Sequence, residues 1–487
     1  MKTNYLYICL LMLALPIATQ GQRYFGVATG NWSGMNALYL DPANIACAAD
    51  KYTIDVFSVN MGFDNNSATL THNIFKTSNI LKQDNVNIHD VVNFTDRSLI
   101  SVMGPYMEYR LPGLMVKIDN NQTIALTTRI RSFNTINNFS QDFLRSILDI
   151  DFRNSIGDYK VAMNNLNWTA NTWSEIGLSY ANVLYKKDKH KITGGFTFRY
   201  LNGIAYTSIV SKQFNGDYNS ESKVVTFNSD VHITSNIMNT QGMNSKSISS
   251  WLLGNNGGHG YGGDVGLNYE YRPGNEEDMY KIKLSFAITD IGAINYTTNN
   301  QQIHLYGSGS MDINKMSDSV KNYNSFVSFA NASGLKADTT KAAAKVHLPT
   351  ALVAGVDYNI NNLFFASIMY NGNLVSRTIY GNSYYSQVTV TPRYDTHKFA
   401  VGLPITYSTL SQKMKMGLGL RYGGFYVGSD DMMAFVVSNQ TGMNVYAGAF
   451  FHINPKPGPF HFPLTKLYRY KHQKKTKEAG CKSCLNG

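Results

Sequence analysis

Charged side chains occur at intervals within segments that are otherwise apolar or built from small residues. Eight of them lie on the polar faces of such segments: Glu108, Arg110, Arg129, Arg131, Arg199, Glu270, Arg272 and Arg421. Both signs are present, and charges withdrawn from bulk water must be paired or hydrated. Two interpretations stay open, namely an internal ion-pair network with a structural role and a polar path for a solute.

Other residue patterns offer little chemistry, and we predict neither an enzyme nor a metal or cofactor site. The eleven histidines are scattered, with no His-Glu-x-x-His motif and no Cys/His cluster at zinc spacing in the body of the chain. The glycine-rich stretch at 254–264 is interpreted as the start of a strand, because a phosphate loop needs a following helix. The Ser-Asp-Asp stretch at 429–431 is predicted to be a solvated turn, with a calcium site as the weaker alternative.

The start of the chain has the pattern of a secretory signal peptide. A lysine precedes a short apolar core, and small and polar residues follow near position 21. Residues 1–21 are therefore predicted to direct export from the cytoplasm and to be removed.

The end of the chain is a basic tail, 455–487, which carries +7 of the formal net charge of +11. The body is close to neutral, so we predict no nucleic-acid partner. The tail contains Cys481-x-x-Cys484, which in an oxidising compartment is predicted to form a disulfide, either locally or to a partner. Cys47 is interpreted as packing among small residues, with pairing to the tail as the alternative.

The dominant signal along the chain is alternation with a period of two residues. In "WSEIGLSYANVLY", one face carries Ile176, Leu178 and Tyr180 and the other carries Gly177, Ser179 and Ala181. Such segments are β-strands with one apolar and one polar face. Charged residues are only 15% of the chain and aromatics are 13%, which favours strands that turn the apolar face toward lipid over a soluble sandwich.

The connections alternate between short turns and long excursions, as in outer-membrane barrels. Short turns are predicted at 119–122, 186–190, 360–362 and 395–396, and long excursions at 76–100, 134–171, 203–262 and 299–346. Taking 51–75 as one strand gives about fourteen strands, the last being "MNVYAGAFFHI". An even number places both termini in the periplasm.

The predicted fold is therefore all-β, a transmembrane antiparallel β-barrel over 51–454 with many strands near ten residues long. Short helices are predicted in the long loops, one in "SQDFLRSILDI" with Ser140 as its N-cap and one in "DINKMSDSVKNYNSFVSFA". Within "RLPGLMVKI", Pro112 and Gly113 interrupt a good strand. They predict either a local bulge or a kink that opens the wall toward lipid.

Residues 22–50 precede the first strand and fit neither a wall strand nor a solvent loop. The stretch "LYLDPANIA" is broken by proline and poor in charge. We predict that this segment is a plug held inside the lumen. Asp41 would then pair with luminal arginines such as Arg129 or Arg199.

With its signal peptide, its strand rhythm and "LYLDPANIA", the sequence resembles the FadL/PorV group of outer-membrane barrels. Asp41, Pro42, Ala43 and Asn44 stand where the group has an Asn-Pro-Ala motif, with Asp in place of the first Asn. The segments "ITDIGAINY" (288–296) and "GLGLRYGGFYVGSDD" (417–431) resemble an uncharacterised branch found in Gram-negative bacteria with type IX secretion.

The resemblance implies two roles. FadL-like members take up hydrophobic molecules and have an N-terminal plug and a kinked strand, here the segment 22–50 and Pro112-Gly113. PorV-like and PorP-like members instead serve type IX secretion or gliding as docking barrels. We therefore expect a barrel in the outer-membrane lipid that binds or passes a hydrophobic or amphiphilic molecule. The alternative is a scaffold that docks a periplasmic or outer-membrane protein through the tail 455–487.

Overall fold

The computed structural model describes residues 24–47, 50–83, 86–236, 257–274, 279–297, 300–314, 328, 330–377 and 381–453. The predicted signal peptide, the tail with Cys481 and Cys484, and the Cys47 side chain lie outside the described residues. So does most of the helix predicted in "DINKMSDSVKNYNSFVSFA".

Strands make up most of the described chain. They are β1 (Tyr52–Asn65), β2 (Ala68–Leu70), β3 (Val92–Phe94), β4 (Leu99–Lys117), β5 (Gln122–Ser140), β6 (Tyr159–Ala162), β7 (Leu166–Lys187), β8 (His190–Asn219), β9 (Val224–Ser235), β10 (Gly258–Tyr271), β11 (Ile282–Tyr296), β12 (Gln301–Asp312), β13 (Lys336–Thr340), β14 (Ala344–His347), β15 (Ala351–Asn359), β16 (Phe364–Asn373), β17 (Gln387–Asp395), β18 (Phe399–Gly402), β19 (Ile405–Ser408), β20 (Lys413–Met416), β21 (Leu418–Tyr422), β22 (Phe425–Ser429) and β23 (Gly442–Ile453).

Within the described residues, the helices are few and short. They are α1 (Phe25–Ala28), α2 (Ile74–Ile80), α3 (Gln141–Leu148), α4 (Ile150–Ser155) and α5 (Met433–Val436), with 3-10 helices at Gly34–Tyr39, Pro42–Cys47 and Ile88–Asp90. The helix predicted after Ser140 is confirmed as α3, and the Ser140 hydroxyl accepts a hydrogen bond from the Phe143 amide. No helix in the described part of the chain is both long and apolar enough to cross a membrane.

The main sheet closes on itself as an antiparallel barrel with fourteen strand positions. Going around the barrel, the first ten positions are β1, β4, β5, β7, β8, β10, β11, β15, β16 and β17. β18 and β19 together form the eleventh position, and β20 and β21 together form the twelfth. β22 and β23 are the last two, and β23 pairs back to β1. The predicted number of strands and the predicted last strand are therefore confirmed.

The barrel wall is apolar on its outer face and polar on its inner face. On β7, Leu178 is 58% exposed while Ser179 beside it is fully buried, and on β8, Phe198 is 54% exposed while Arg199 is 3% exposed. A soluble protein would bury the leucine and the phenylalanine and expose the arginine. The arrangement is that of a transmembrane barrel of the outer-membrane type, as the alternation predicted.

The long excursions differ from their prediction as loops, because all four contain further strands: β3 in 76–100, β6 in 134–171, β9 in 203–262, and β12, β13 and most of β14 in 299–346. β8 runs for 30 residues, far beyond the roughly ten that cross a bilayer. Its second half pairs with β9, β9 pairs with β12, and β12 pairs with β13. We call this extension, residues 207–219, 224–235, 301–312 and 336–340, the projecting sheet.

Pro112 and Gly113 lie at a local bulge in β4. The register between β4 and β5 shifts between Leu111 and Leu114, whereas the register with β1 is the same on either side of the proline. Pairing therefore continues on both sides of Pro112, which matches the bulge interpretation, and a lateral opening at this point stays a prediction.

Candidate functional site

Inward-facing charges from six neighbouring wall strands meet at one point inside the barrel. We call this group the lumen cluster, and its members are Glu108, Arg110, Arg129, Arg131, Glu175, Arg199, Asp264 and Asp290. Four arginines face four carboxylates, so the group is formally neutral. Each side chain is buried, and the equal numbers of opposite charges offset the cost of removing them from water.

Short contacts join the members of the lumen cluster. Arg129 Nε lies 2.6 Å from Glu175 Oε2, and Arg110 Nε lies 2.8 Å from Glu108 Oε1. Arg131 and Arg199 place guanidinium nitrogens 2.9 and 3.1 Å from the same oxygen, Asp290 Oδ1. Such charge-assisted bonds hold the six strands in one register on their inner face.

Asp290 is the residue of this cluster that the alternation could not predict. It follows the buried Thr289 directly, so two consecutive residues point inward. The register of β10 with β11 shifts here, Asp290 has a positive φ of 56°, and Gly292 has a φ of 140°. A bulge of this kind turns a side chain to the opposite face of the sheet. The signal in the sequence was the Asp-Ile-Gly within "ITDIGAINY".

The other predicted luminal charges do not join the lumen cluster. Arg272 is half-buried and places Nη2 2.6 Å from Glu270 Oε2, near the short-turn end of the barrel. Arg421 places Nη2 3.2 Å from Asp395 Oδ1 and donates to the His397 carbonyl oxygen. The eight predicted residues therefore form three separate ionic groups, each completed by a carboxylate or a carbonyl oxygen.

The N-terminal segment, residues 24–47, lies against the inner face of the wall. The Arg110 guanidinium lies 4.0 Å above the Tyr24 ring and 3.9 Å above the Tyr39 ring, and it donates to Asn36 Oδ1 at 2.6 Å. A cation above an aromatic ring is attracted by the ring's negative face. The lumen cluster thus contacts this segment directly.

The Asp-Pro-Ala-Asn stretch packs where the wall has glycines in place of side chains. A Cβ atom on Gly195 would collide with the backbone of Pro42, and one on Gly266 would collide with the Asp41 carboxylate. Asn44 Oδ1 accepts a hydrogen bond from Lys283 Nζ at 2.5 Å. The close approach of this proline-broken stretch therefore depends on glycine at these wall positions.

The expected pairing of Asp41 with a luminal arginine is not what the structure has. Asp41 is buried, and its Oδ1 accepts the backbone amide of Ala43 at 2.7 Å. Arg129 and Arg199 are instead engaged with the carboxylates of the lumen cluster. Each arginine has a carboxylate on an adjacent strand, Glu175 for Arg129 and Asp264 for Arg199. The strand register places these carboxylates closer to the arginines than Asp41.

The prediction of a solvated turn at 429–431 is wrong. Asp430 and Asp431 are buried, and the Asp430 carboxylate accepts the Phe25 and Gly26 amides at 3.0 Å each. The Asp431 carboxylate lies 3.2 Å from Lys415 Nζ. The turn packs on a segment about 400 residues earlier in the chain, and that contact cannot be read from local composition.

An apolar layer lies inside the barrel on the other side of the lumen cluster. We call it the aromatic layer, and it comprises Met103, Tyr106, Phe133, Trp173, Leu201, Tyr206, Ile294, Tyr296, Ala344, Val346, Leu348, Ala351, Tyr384 and Leu410. The Tyr384 hydroxyl accepts from Arg131 Nη2 at 2.8 Å and lies 3.1 Å from Asp290 Oδ2. The lumen is therefore apolar directly beside its charged centre.

The wall is interrupted where the bulge of β11 meets the chain between β14 and β15. β11 pairs with β15 up to Thr289 and with β14 from Ala293 onward. Residues 290–292 and 348–350, which we call the seam, are joined by a bond from the Leu348 amide to the Gly292 carbonyl and one from the Thr350 hydroxyl to the Asp290 carbonyl. The central residue of 348–350 is a proline, which removes a ladder donor.

A cleft of about 690 Å³ lies over the seam on the outer face of the barrel. Its lining includes the exposed side chains of Tyr261 and Ile291. On the inner face, Ile294 and Leu348 belong to the aromatic layer. The seam thus lies between the aromatic layer and an outer cleft in which Tyr261 and Ile291 stand beside polar residues such as Lys345 and His347.

A second cavity, of about 340 Å³, lies inside the barrel beneath the N-terminal segment. Its lining includes Asp41, Asn44, Glu270, Lys283 and Asp357. Because these groups are charged or polar, this end of the lumen favours water over an apolar molecule.

Comparison with known proteins identifies a family and several solved structures with low similarity. A family model described as "Family of unknown function (DUF5723)" matches residues 42–430. No functionally curated protein matches the chain. Among solved structures, the P. putida toluene transporter TodX is 9% identical, with a TM-score of 0.40, over 87% of this chain and 95% of that chain.

Two further matches have similar values. The Ralstonia pickettii toluene transporter TbuX is 10% identical, with a TM-score of 0.40, over 87% of this chain and 95% of that chain. A Pseudomonas aeruginosa FadL homologue is 11% identical, with a TM-score of 0.42, over 89% of this chain and 98% of that chain. At these identities and scores the matches assign no function, and the PorV-like part of the resemblance stays a prediction.

Proposed function

This chain belongs to DUF5723, a family of unknown function. We propose that it is a non-enzymatic outer-membrane barrel that binds a hydrophobic or amphiphilic small molecule. The molecule would pass between the lumen and the lipid at the seam. The observation that carries this proposal is the interrupted wall between the aromatic layer and the outer cleft.

The seam suits a hydrophobic or amphiphilic solute because the aromatic layer lies on its inner side, and the exposed Tyr261 and Ile291 lie on its outer side beside polar residues such as Lys345. Transfer from the aromatic layer to lipid would keep the molecule out of water, and burial of apolar surface is favourable by roughly 25 cal/mol per Å². The seam itself holds few hydrogen bonds, so opening it costs less than separating a fully paired strand. In the present conformation the aromatic layer is filled by its own side chains, which must move to admit a ligand.

The N-terminal segment acts in this proposal as the plug. Its contacts with Arg110 and with Asp430 fix it across the inner face, and the polar cavity below it lies toward the short-turn end. The segment would stop free flow of water-soluble solutes while leaving the lateral route open.

A disulfide across the seam tests the route. Ala293 and His347 are direct cross-strand partners beside the outer cleft, so Ala293→Cys with His347→Cys locks β11 to β14. Cells that carry the wild-type barrel should accumulate the hydrophobic dye N-phenylnaphthylamine faster than cells without it. The oxidised variant should lose this gain, and a reducing agent should restore it.

The matched control is Leu111→Cys with Thr128→Cys, a cross-strand pair beside the bulge at Pro112. We expect this lock to leave uptake unchanged. Loss of uptake in the control alone would move the opening to Pro112-Gly113. No gain in uptake from the wild-type barrel, together with no dye binding by the purified protein, would contradict the proposed function itself.

The alternative role as a docking scaffold is favoured by the basic tail 455–487 alone. Purification in mild detergent from the native outer membrane, with and without the tail, separates the two roles. A stoichiometric protein partner that is lost with the tail would favour the scaffold, and a lipid that copurifies without any partner would favour transport.

A further inference from the structure

The projecting sheet lies beyond the apolar belt of the barrel. Among the described residues, none of the exposed large hydrophobic side chains falls between 199 and 260 or between 292 and 355. These two ranges contain the whole of β9, β12 and β13. Among its described residues this sheet therefore lacks the strongly exposed apolar side chains of the barrel wall.

Two histidines and an aspartate meet on one face of this sheet. Asp230 and His232 lie two residues apart on β9, so they share a face, and His304 on β12 is directly opposite His232. The two imidazole rings are parallel, with centroids 4.3 Å apart. His304 Nε2 lies 2.9 Å and His232 Nε2 lies 3.3 Å from Asp230 Oδ1.

We propose that Asp230, His232 and His304 bind a divalent transition-metal ion, with Zn²⁺ preferred. Their ligand atoms all lie within 4.8 Å of one another. Zinc bonds to nitrogen and carboxylate oxygen of about 2.0–2.1 Å place tetrahedral ligands about 3.3 Å apart, close to the two observed His–Asp spacings. Because the two rings are stacked in parallel, at least one of them must rotate about its χ2 bond to direct both Nε2 lone pairs at one ion. Imidazole ligands select zinc, copper or nickel over calcium and magnesium, and three protein ligands leave one position for water.

The surroundings of His232 favour its neutral form. Burial, the neighbouring His304 and Lys212 of β8 lower the pKa of His232, against the opposing effect of Asp230. A metal requires the neutral imidazole. The three side chains are about one-third exposed, so an ion can reach them from water.

A metal at this site would join two hairpins that are distant in the sequence. His232 belongs to the β8–β9 hairpin and His304 to the β12–β13 hairpin. Sequence motifs for zinc depend on closely spaced ligands, which is why the scattered histidines predicted no metal site. The cross-strand register brings them together.

The test uses the full-length protein in detergent after treatment with a chelator, in a Cys481→Ser and Cys484→Ser background that removes the tail thiols. Titration calorimetry with ZnCl₂ should give one Zn²⁺ per chain. Asp230→Asn and His304→Ala should each weaken binding by more than the roughly 10–100-fold that follows loss of an outer-sphere partner. His190→Ala, an exposed histidine that contacts Tyr269 at the other end of the barrel, should leave binding unchanged.

Two further readouts do not depend on calorimetry. Co²⁺ should give the visible absorption of a tetrahedral site, and Zn²⁺ should slow proteolysis at the β8–β9 turn, residues 220–223, in the parent protein but not in His304→Ala. Absence of Zn²⁺ binding, or binding that persists in Asp230→Asn with His304→Ala, would overturn the proposal. Binding found only when Cys481 and Cys484 are present would also overturn it and assign the metal to the tail.

Discussion

A few side chains decide how the inside of this barrel is held together, and Asp290 is foremost among them. Its carboxylate receives contacts from Arg129, Arg131 and Arg199, which project from β5 and β8. An acidic group shared by three arginines offsets repulsion among them. The same residue forms one edge of the seam, so the ionic centre and the interruption of the wall are coupled through one position.

Asp290→Asn should destabilise the barrel by about 3 kcal/mol, because removal of one partner leaves a buried charge uncompensated. The change keeps the shape of the side chain and removes only its charge. Unfolding can be followed by the heat-dependent shift of the folded barrel on a gel. The control is Asp217→Asn, which changes an exposed aspartate on β8, and we expect it to leave the stability unchanged. Equal stability of the two variants would contradict a central role for Asp290.

At the scale of elements, the bulge of β11 is one of several bulges in the wall, and it marks the seam. The strand changes partner from β15 to β14 across Asp290 to Gly292, and a proline in the facing segment cannot supply a ladder donor. Bulges re-aim side chains and end pairing. By contrast, the bulge at Pro112 lies within one continuous strand, β4, whereas the chain that faces the seam is divided into β14 and β15.

Gly292→Ala should damage this element beyond the ordinary cost of a positive φ. A Cβ atom on Gly292 would collide with the Tyr261 carbonyl, and its φ is 140°. Gly307 on β12 also has a positive φ, 110°, but has open space around it. Both alanine variants should lose roughly 1–3 kcal/mol for backbone strain.

In addition, we expect only Gly292→Ala to displace the Asp290 side chain and to change the rate of dye uptake. The comparison of melting temperature and uptake between the two variants separates strain from packing. Identical losses of both quantities would show that the close contact at Gly292 has no role of its own.

At the scale of the molecule, short turns lie at one end of the barrel and the projecting sheet at the other. An outer-membrane barrel places short turns in the periplasm and long excursions outside the cell. The polar cavity and the short-turn end would then face the periplasm, and the proposed metal site would face the exterior.

Labelling of intact cells with a membrane-impermeant maleimide tests this orientation. In a background without other mature cysteines, Glu221→Cys in the exposed β8–β9 turn should react. Asn120→Cys in the exposed turn between β4 and β5 should react only after lysis. The opposite result would place the projecting sheet in the periplasm.

The sequence by itself determined the repeating part of this protein. Alternation in segments such as 176–181 specified strands with one apolar face, the low charge specified lipid on that face, and the spacing of turns specified about fourteen strands. These are local signals, because strand periodicity and turn chemistry depend on residues a few positions apart. The helix capped by Ser140 was local in the same sense.

Only the tertiary structure decided which polar groups meet. Asp290 points inward through a bulge, Asp430 binds amides near the start of the chain, and His232 faces His304 across two hairpins. Asp41, expected beside an arginine, accepts a backbone amide two residues away. Partners of this kind depend on register between distant strands, and a shift of one residue moves a side chain to the other face, which no local pattern records.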